Sequence, residues 1–125
     1  MEIKLTAREA EVLEVLWRRG PCTVSEVREE LADDLAYTTV LTVLRTLETK
    51  AYVRHSSAGR AHRYSASVTR QKAQRSAAKA LIHKLFKGST ELLLTHLVTD
   101  QKLTDAEVER IRQLLDQKSG NTGKA

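Results

Sequence analysis

Ala36-Tyr37-Thr38-Thr39-Val40-Leu41-Thr42-Val43-Leu44-Arg45-Thr46-Leu47-Glu48-Thr49-Lys50 is the stretch on which the fold turns. Advanced by about 100° per residue, it separates into two helical faces. Val40, Leu41, Val43, Leu44 and Leu47 fall on one. Thr38, Thr39, Thr42, Arg45, Thr46 and Thr49 gather on the other, within an arc of roughly 120°. A solvated helix normally carries Glu and Lys on its outer side, and Thr is a middling helix former, so a threonine face loses helix stability without a packing return. Short hydroxyls with a methyl, plus one Arg, suit a helix in a DNA major groove. Hydroxyls reach phosphates and base edges, the Thr methyl meets a thymine methyl, and Arg forks onto guanine. The competing reading is a β-branched helix with an incidental polar side. The flanking sequence has to decide between them.

A chain of 125 residues fits one domain, or one compact domain with a dimerisation arm. Hydrophobic residues make up 41% and aromatics only 4%, so the core must be built from Leu, Val, Ala and Ile. No window approaches the apolar run of a membrane helix, and Met1-Glu2-Ile3-Lys4 starts folding at once, so a cytoplasmic protein without membrane insertion is expected. The single Cys22 cannot make an internal disulfide or a thiolate metal cluster, and reads as a small buried thiol. Net charge is +5, which suggests a polyanion partner. Its distribution says more. From Ala36 to Lys72 the charges are Arg45, Lys50, Arg54, Arg60, Arg63, Arg70 and Lys72, against Glu48 alone.

Upstream, Leu5-Thr6-Ala7-Arg8-Glu9 is a capping box, followed by the apolar stripe Ala10, Val12, Leu13, Leu16 and Trp17 and the stop Gly20-Pro21. Thr23-Val24-Ser25-Glu26 is a second capping box that opens a short helix with Val24, Val27 and Leu31 inward. Ala36 is a weak N-cap, so the Thr-rich helix must have its start set by tertiary packing or a neighbouring carboxylate. After Lys50 the period changes. Tyr52-Val53-Arg54-His55 reads as a strand, Ser56 to Arg60 as a turn, and Ala61-His62-Arg63-Tyr64-Ser65 as a returning strand. Helix, helix, helix, hairpin is the order of a winged helix-turn-helix domain. Gly59 at the tip can take φ > 0, and Arg60 beside it is placed for a minor groove or a phosphate.

From Val68 onward the pattern is helical again. Ala73, Ala77, Leu81 and Leu85 recur every fourth residue, with Phe86 beside them. Lys87-Gly88-Ser89 breaks that helix, and Ser89 or Thr90 can cap the next, in which Leu93, Leu94 and Leu97 leave few polar positions. Leu103-Thr104-Asp105-Ala106-Glu107 is a third capping box, leading into Val108, Ile111, Leu114 and Leu115. These helices are too short and apolar to stand alone, and exchange of their apolar faces with a second copy is favoured over packing back on the winged domain. The expected fold class is mainly α with a small β-hairpin wing. Residues 1–68 form the winged helix-turn-helix domain, 69–118 a helical dimerisation domain and 119–125 a disordered tail.

The residues resemble the penicillinase-repressor (BlaI/MecI/CopY) family of bacterial transcriptional repressors. The likeness rests on Leu5-Thr6 with Glu9, Val12-Leu13, Leu16-Trp17, Gly20, Thr23-Val24 with Glu26-Val27, the Ala36 to Arg45 run with Leu47-Glu48, Gly59-Arg60-Ala61-His62 and Tyr64. Phe86-Lys87-Gly88-Ser89, Leu94, His96-Leu97 and Leu103 extend it into the C-terminal part. The resemblance implies a homodimeric repressor of a resistance or stress operon that binds a palindromic double-stranded operator and carries no cofactor. Recognition would use helix 36–50 and wing 56–63, through Thr38, Thr39, Thr42, Arg45, Thr46, Arg60 and Arg63. Dimerisation would use Leu81, Leu85 and Phe86, then Leu93, Leu94 and Leu97, then Val108, Ile111, Leu114 and Leu115. Release would follow loss of the dimer, with a membrane-linked sensor or antirepressor protease as a further partner. In the β-lactamase branch that cleavage falls at an Asn-Phe bond, and here the stretch reads Leu93-Leu94-Thr95-His96-Leu97. The paired C-terminal cysteines of the copper-sensing branch are absent too.

Two other classes compete. An enzyme finds little support, because His55, His62, His83 and His96 are scattered without metal-ligand spacing, and Gly59 stands outside any phosphate loop. A winged module acting through protein contacts only, without specific DNA binding, would be expected to lose the basic run from Arg45 to Lys72.

Overall fold

The computed structural model describes residues 2–122. Its elements run α1 (Ala7–Arg19), α2 (Val24–Glu30), α3 (Tyr37–Thr49), β1 (Val53–Ala58), β2 (Ala61–Ala66), α4 (Arg70–Leu85), α5 (Thr90–Asp100) and α6 (Asp105–Thr122). The expected capping boxes form at Thr6–Glu9 and Thr23–Glu26, each with a reciprocal pair of bonds. The third forms at Thr104–Glu107. Of the two candidates before α5, Ser89 is the cap, accepting from the Leu92 amide at 3.1 Å.

Chain contacts divide the protein into two compact units, Met1–Ala80 and Leu81–Ala125. The first has a single apolar centre. Val12, Leu13 and Leu16 of α1 meet Val27 of α2, Val40, Leu44 and Leu47 of α3, and Tyr52, Val53 and Tyr64 around the hairpin. Of the five positions that the helical period puts on the inner face of α3, Val40, Leu44 and Leu47 are buried, while Leu41 and Val43 at its margins are half-buried against the same core. Cys22 is a free, buried thiol, as expected, and its backbone exchanges two hydrogen bonds with Tyr64, at 2.9 and 2.7 Å. That bridge stitches the start of α2 to β2. The first part of α4 also belongs to this unit. Ala73 is buried, the Ser76 hydroxyl accepts from the Ile3 amide at 2.7 Å, and the Trp17 indole donates to the Val68 carbonyl at 2.8 Å. The change of period at residue 68 therefore marks the start of a helix, and the division between packed units lies further along it.

Two local expectations are corrected. The turn is tighter than the expected Ser56 to Arg60, because β1 and β2 stay paired out to Ala58–Ala61 and leave Gly59-Arg60 alone at the tip. Gly59 takes φ +66°, which lets two residues reverse the chain. At the other end of the protein, α6 continues to Thr122, so residues 119–122, expected in a disordered tail, are helical. A helix already propagating gains one backbone bond for each residue it fixes, whereas a new turn must fix three residues for its first bond. The remainder of that expected tail, 123–125, lies outside the described residues.

The second unit holds the end of α4 with α5 and α6. Among its described residues none is buried, although Leu85, Leu97, Val98, Leu114 and Leu115 are large apolar side chains.

Candidate nucleic-acid interface

The threonine face of α3 is a surface. Thr38, Thr39, Thr42, Arg45, Thr46 and Thr49 are all exposed, while Val40, Leu44 and Leu47 behind them are 0% exposed. Both ends of the helix are pinned. Ala36 makes no side-chain cap, as its short side chain dictates, and instead the Arg28 guanidinium of α2 donates to the Leu35 carbonyl at 2.6 Å. The anchor before α3 is thus tertiary packing, one of the two expected alternatives, since Leu35 lies against the core, joined by a cation on its carbonyl rather than by a carboxylate. At the far end the Lys50 ammonium sits 2.8 and 2.9 Å from the two oxygens of Glu9. Burial of Glu9 opposes its ionisation, but Lys50 and the Thr6 amide together outweigh it and hold its pKa below the usual carboxylate range.

Three of the hydroxyls on that face bond back along the helix. Thr42, Thr46 and Thr49 each donate to the carbonyl four residues earlier, on Thr38, Thr42 and Arg45, at 2.8, 2.9 and 3.0 Å. Such back-bonds are a common resting place for a helical Thr hydroxyl.

Beside α3 stands the wing, with Arg60 exposed at its tip. The His55 ring of β1 hydrogen-bonds the Glu48 carboxylate, which fastens the wing to α3. His62 on β2 packs edge-on against His55, with ring centroids 4.7 Å apart. Between helix and wing runs a groove of about 410 Å³, lined on the α3 side by Tyr37, Leu41, Arg45 and Glu48. The i, i+4 and i+3 steps among those residues were legible as a helix face, but without the hairpin nothing marked that face as the wall of a groove. Tyr37, 46% exposed, is the residue the sequence reading left without a role.

The predicted site residues do not all stand in equivalent positions. Thr38, Thr39, Thr42, Arg45 and Thr46 share one face, and Arg60 stands on the wing tip. Arg63, however, turns toward α2 and donates to Glu26 at 3.2 Å. Glu26 also accepts from Arg19 at 3.1 Å, and its pKa is held low chiefly by the Thr23 amide of its capping box. Other members of the basic run are paired as well. Lys50 is held by Glu9, and Arg70 by Glu14 at 2.7 Å. The positive surface near α3 is therefore narrower than the sequence suggested, because acids distant in the chain neutralise part of it. Among the described residues there is no cluster of three or more His, Cys, Asp or Glu able to hold a metal ion, and no helix is long and apolar enough to cross a membrane.

The family model described as "Penicillinase repressor" matches residues 5–117. The methicillin resistance regulatory protein MecI of Staphylococcus aureus is 22% identical over 117 residues, covering 92% of this chain and 95% of that protein. The transcriptional regulator BlaI of Mycobacterium tuberculosis is 48% identical over 60 residues, covering 46% of this chain and 44% of its own length. Among solved structures, the transcriptional regulator Tm0710 of Thermotoga maritima superposes with a TM-score of 0.53 at 16% identity, over 95% of this chain and 77% of that one. A MarR family protein of Bacillus stearothermophilus gives 0.51 at 17% identity, over 97% and 77%. At such identities the structural likeness concerns the fold alone, and that fold is a winged helix.

Proposed function

The chain belongs to the penicillinase repressor family of transcriptional regulators, and from that premise we propose that it is a homodimeric repressor reading a palindromic operator. Helix α3 lies in the major groove and presents Thr38, Thr39, Thr42, Arg45 and Thr46 to the bases, while Arg60 of the wing grips the flanking backbone. The observation that carries the reading is the exposed threonine and arginine face of α3, backed by fully buried Val40, Leu44 and Leu47 and pinned at each end. A rigid helix whose polar face stays open to solvent is what base readout needs.

The dimer rests on a different observation. The described residues from Leu81 onward include no buried side chain, and Leu85, Leu97, Val98, Leu114 and Leu115 are between 44% and 68% exposed. So much apolar surface calls for a partner, and a second copy of these helices supplies the same surface in return. Two copies present two recognition helices to successive major grooves, about 34 Å apart. The proposal extends to repression of a resistance or stress operon and to release through loss of the dimer, a reading supported by the likeness to the methicillin resistance regulatory protein MecI. Any protease would have to act without the Asn-Phe pair, since α5 carries Leu94-Thr95-His96-Leu97 there.

The test is a gel shift. Duplexes bound from a random library are sequenced, and wild type is compared on them with the Thr39/Thr42/Arg45 triple alanine variant. An inverted-repeat consensus bound by wild type and lost in the variant supports the reading, and equal binding by both proteins removes it. Salt titration separates a module that acts through protein contacts only, which shows neither a steep salt slope nor a palindrome.

A further inference from the structure

Three of the five threonines of α3 offer DNA something other than donors. A hydroxyl that gives its proton to a carbonyl four residues earlier cannot also give it to a phosphate or a guanine edge, and Thr42, Thr46 and Thr49 all make that bond. With the proton so placed, each of these exposed threonines has its γ-methyl and the oxygen lone pairs left for a partner, and lone pairs are repelled by phosphate. We infer that Thr42, Thr46 and Thr49 recognise thymine 5-methyl groups through their own methyls, so that the operator is read along this face chiefly by apolar contact.

The inference rests on the proposal that α3 enters the major groove, and it divides the labour within the helix. Arg45, exposed on the same face, is the donor fork for guanine. The methyls form a row. At 1.5 Å per residue, Thr42 and Thr46 lie about 6 Å apart along the axis, and Thr46 and Thr49 about 4.5 Å. Those spacings reach neighbouring or next-neighbouring base pairs of a duplex rising about 3.4 Å per step. Thr49, absent from the contact set that sequence reading proposed, joins it on this argument. Thymine is also the base that projects a methyl into the major groove, so this surface discriminates T·A from C·G without any side-chain donor.

Deoxyuridine supplies the probe, since it pairs as thymidine does and lacks only the 5-methyl. Full-length wild-type protein is titrated with a duplex selected from the random library, then with the same duplex carrying deoxyuridine at one half-site thymine at a time. Loss of about three- to fivefold in affinity at one or more of those positions is expected, the size of one buried methyl contact. Thr42→Val, which keeps the methyl and drops the hydroxyl, retains both affinity and sensitivity to deoxyuridine. Thr42→Ser, which keeps the hydroxyl, loses a similar factor and becomes indifferent at one position. If wild type binds both duplexes equally while still preferring them over scrambled DNA, methyl readout is wrong and the recognition-helix reading survives. Selected half-sites without thymine, or retention by Ser with loss by Val, overturn it as well. A library yielding no preferred sequence refutes the recognition-helix reading itself.

Discussion

Lys50, immediately after α3, places its ammonium within 2.9 Å of both carboxylate oxygens of Glu9 in the first turn of α1. Glu9 is simultaneously the acid of the Thr6 capping box, accepting the Thr6 amide at 2.8 Å. One carboxylate therefore caps α1 and fixes the end of α3, which couples the stability of the domain to the placement of its candidate DNA-facing helix.

Removing either partner is unequal in effect. Lys50→Ala leaves a carboxylate that is 4% exposed with only the Thr6 contacts, and a loss of about 2–3 kcal/mol is expected. Glu9→Gln should lose less, about 1–2 kcal/mol, because Lys50 can turn its ammonium into water. Urea denaturation at one fixed protein concentration measures both, and the reverse order would show that Lys50 is not the partner that holds Glu9 in place.

The same pair makes stability depend on pH in one direction. The folded pKa of Glu9 is lowered, so its contribution is present above the unfolded carboxylate value of about 4.3 and is lost as pH falls through the folded value. Thermal unfolding followed between pH 7 and pH 3 should show the midpoint dropping at the acid end. Glu9→Gln should flatten that drop, and an unchanged acid profile in the variant would assign the loss to other groups.

Arg60 and Arg63 lie on the same hairpin but are expected to differ. Arg60 is exposed at the tip, whereas Arg63 is engaged with Glu26. Arg60→Ala should weaken binding to all duplexes alike and reduce the slope of log K against log salt by about 0.9, the value for one phosphate contact. Arg63→Ala should change that slope much less. Equal changes in the two variants would mean that Arg63 leaves Glu26 when DNA is present.

Leu85 and Leu114 are 68% and 64% exposed, so aspartate at either position removes almost no packing within the single chain. Leu114→Asp and Leu85→Asp are expected to shift sedimentation toward the monomer and to abolish cooperative filling of a palindrome. Helical content by circular dichroism should fall little. Retention of a full-strength dimer by both variants would move the interface elsewhere.

Ala51 sits at φ +69° just after α3, where the Tyr52 amide closes back on the Leu47 carbonyl at 2.9 Å. A left-handed residue at a helix end favours glycine. Ala51→Gly should therefore raise stability by about 0.5–1 kcal/mol, the relief of that conformation being partly offset by the greater freedom of glycine in the unfolded chain. A lowered unfolding midpoint would show that the entropic term dominates.

Much of the fold was written locally. The inner row Val40, Leu44 and Leu47, the capping acids Glu9, Glu26 and Glu107, and the positive φ of Gly59 all follow from spacing or residue type within a few positions. The outer row from Thr38 to Thr49 is legible for the same reason, and so in principle are its back-bonds, since donor and acceptor are four residues apart.

Local pattern alone decided where α1 and α2 start and which face of α3 is apolar. A period of 3.6 residues depends on nothing beyond the neighbours. Tertiary structure alone decided which charges remain available, because Lys50, Arg63 and Arg70 are neutralised by Glu9, Glu26 and Glu14, each at least 37 positions away. It also decided that Cys22 joins the hairpin as a short bridge and that Arg28 anchors the start of α3. Those contacts form only once the apolar core has brought distant segments within a few ångströms of one another. No count of charges along the chain carries that information.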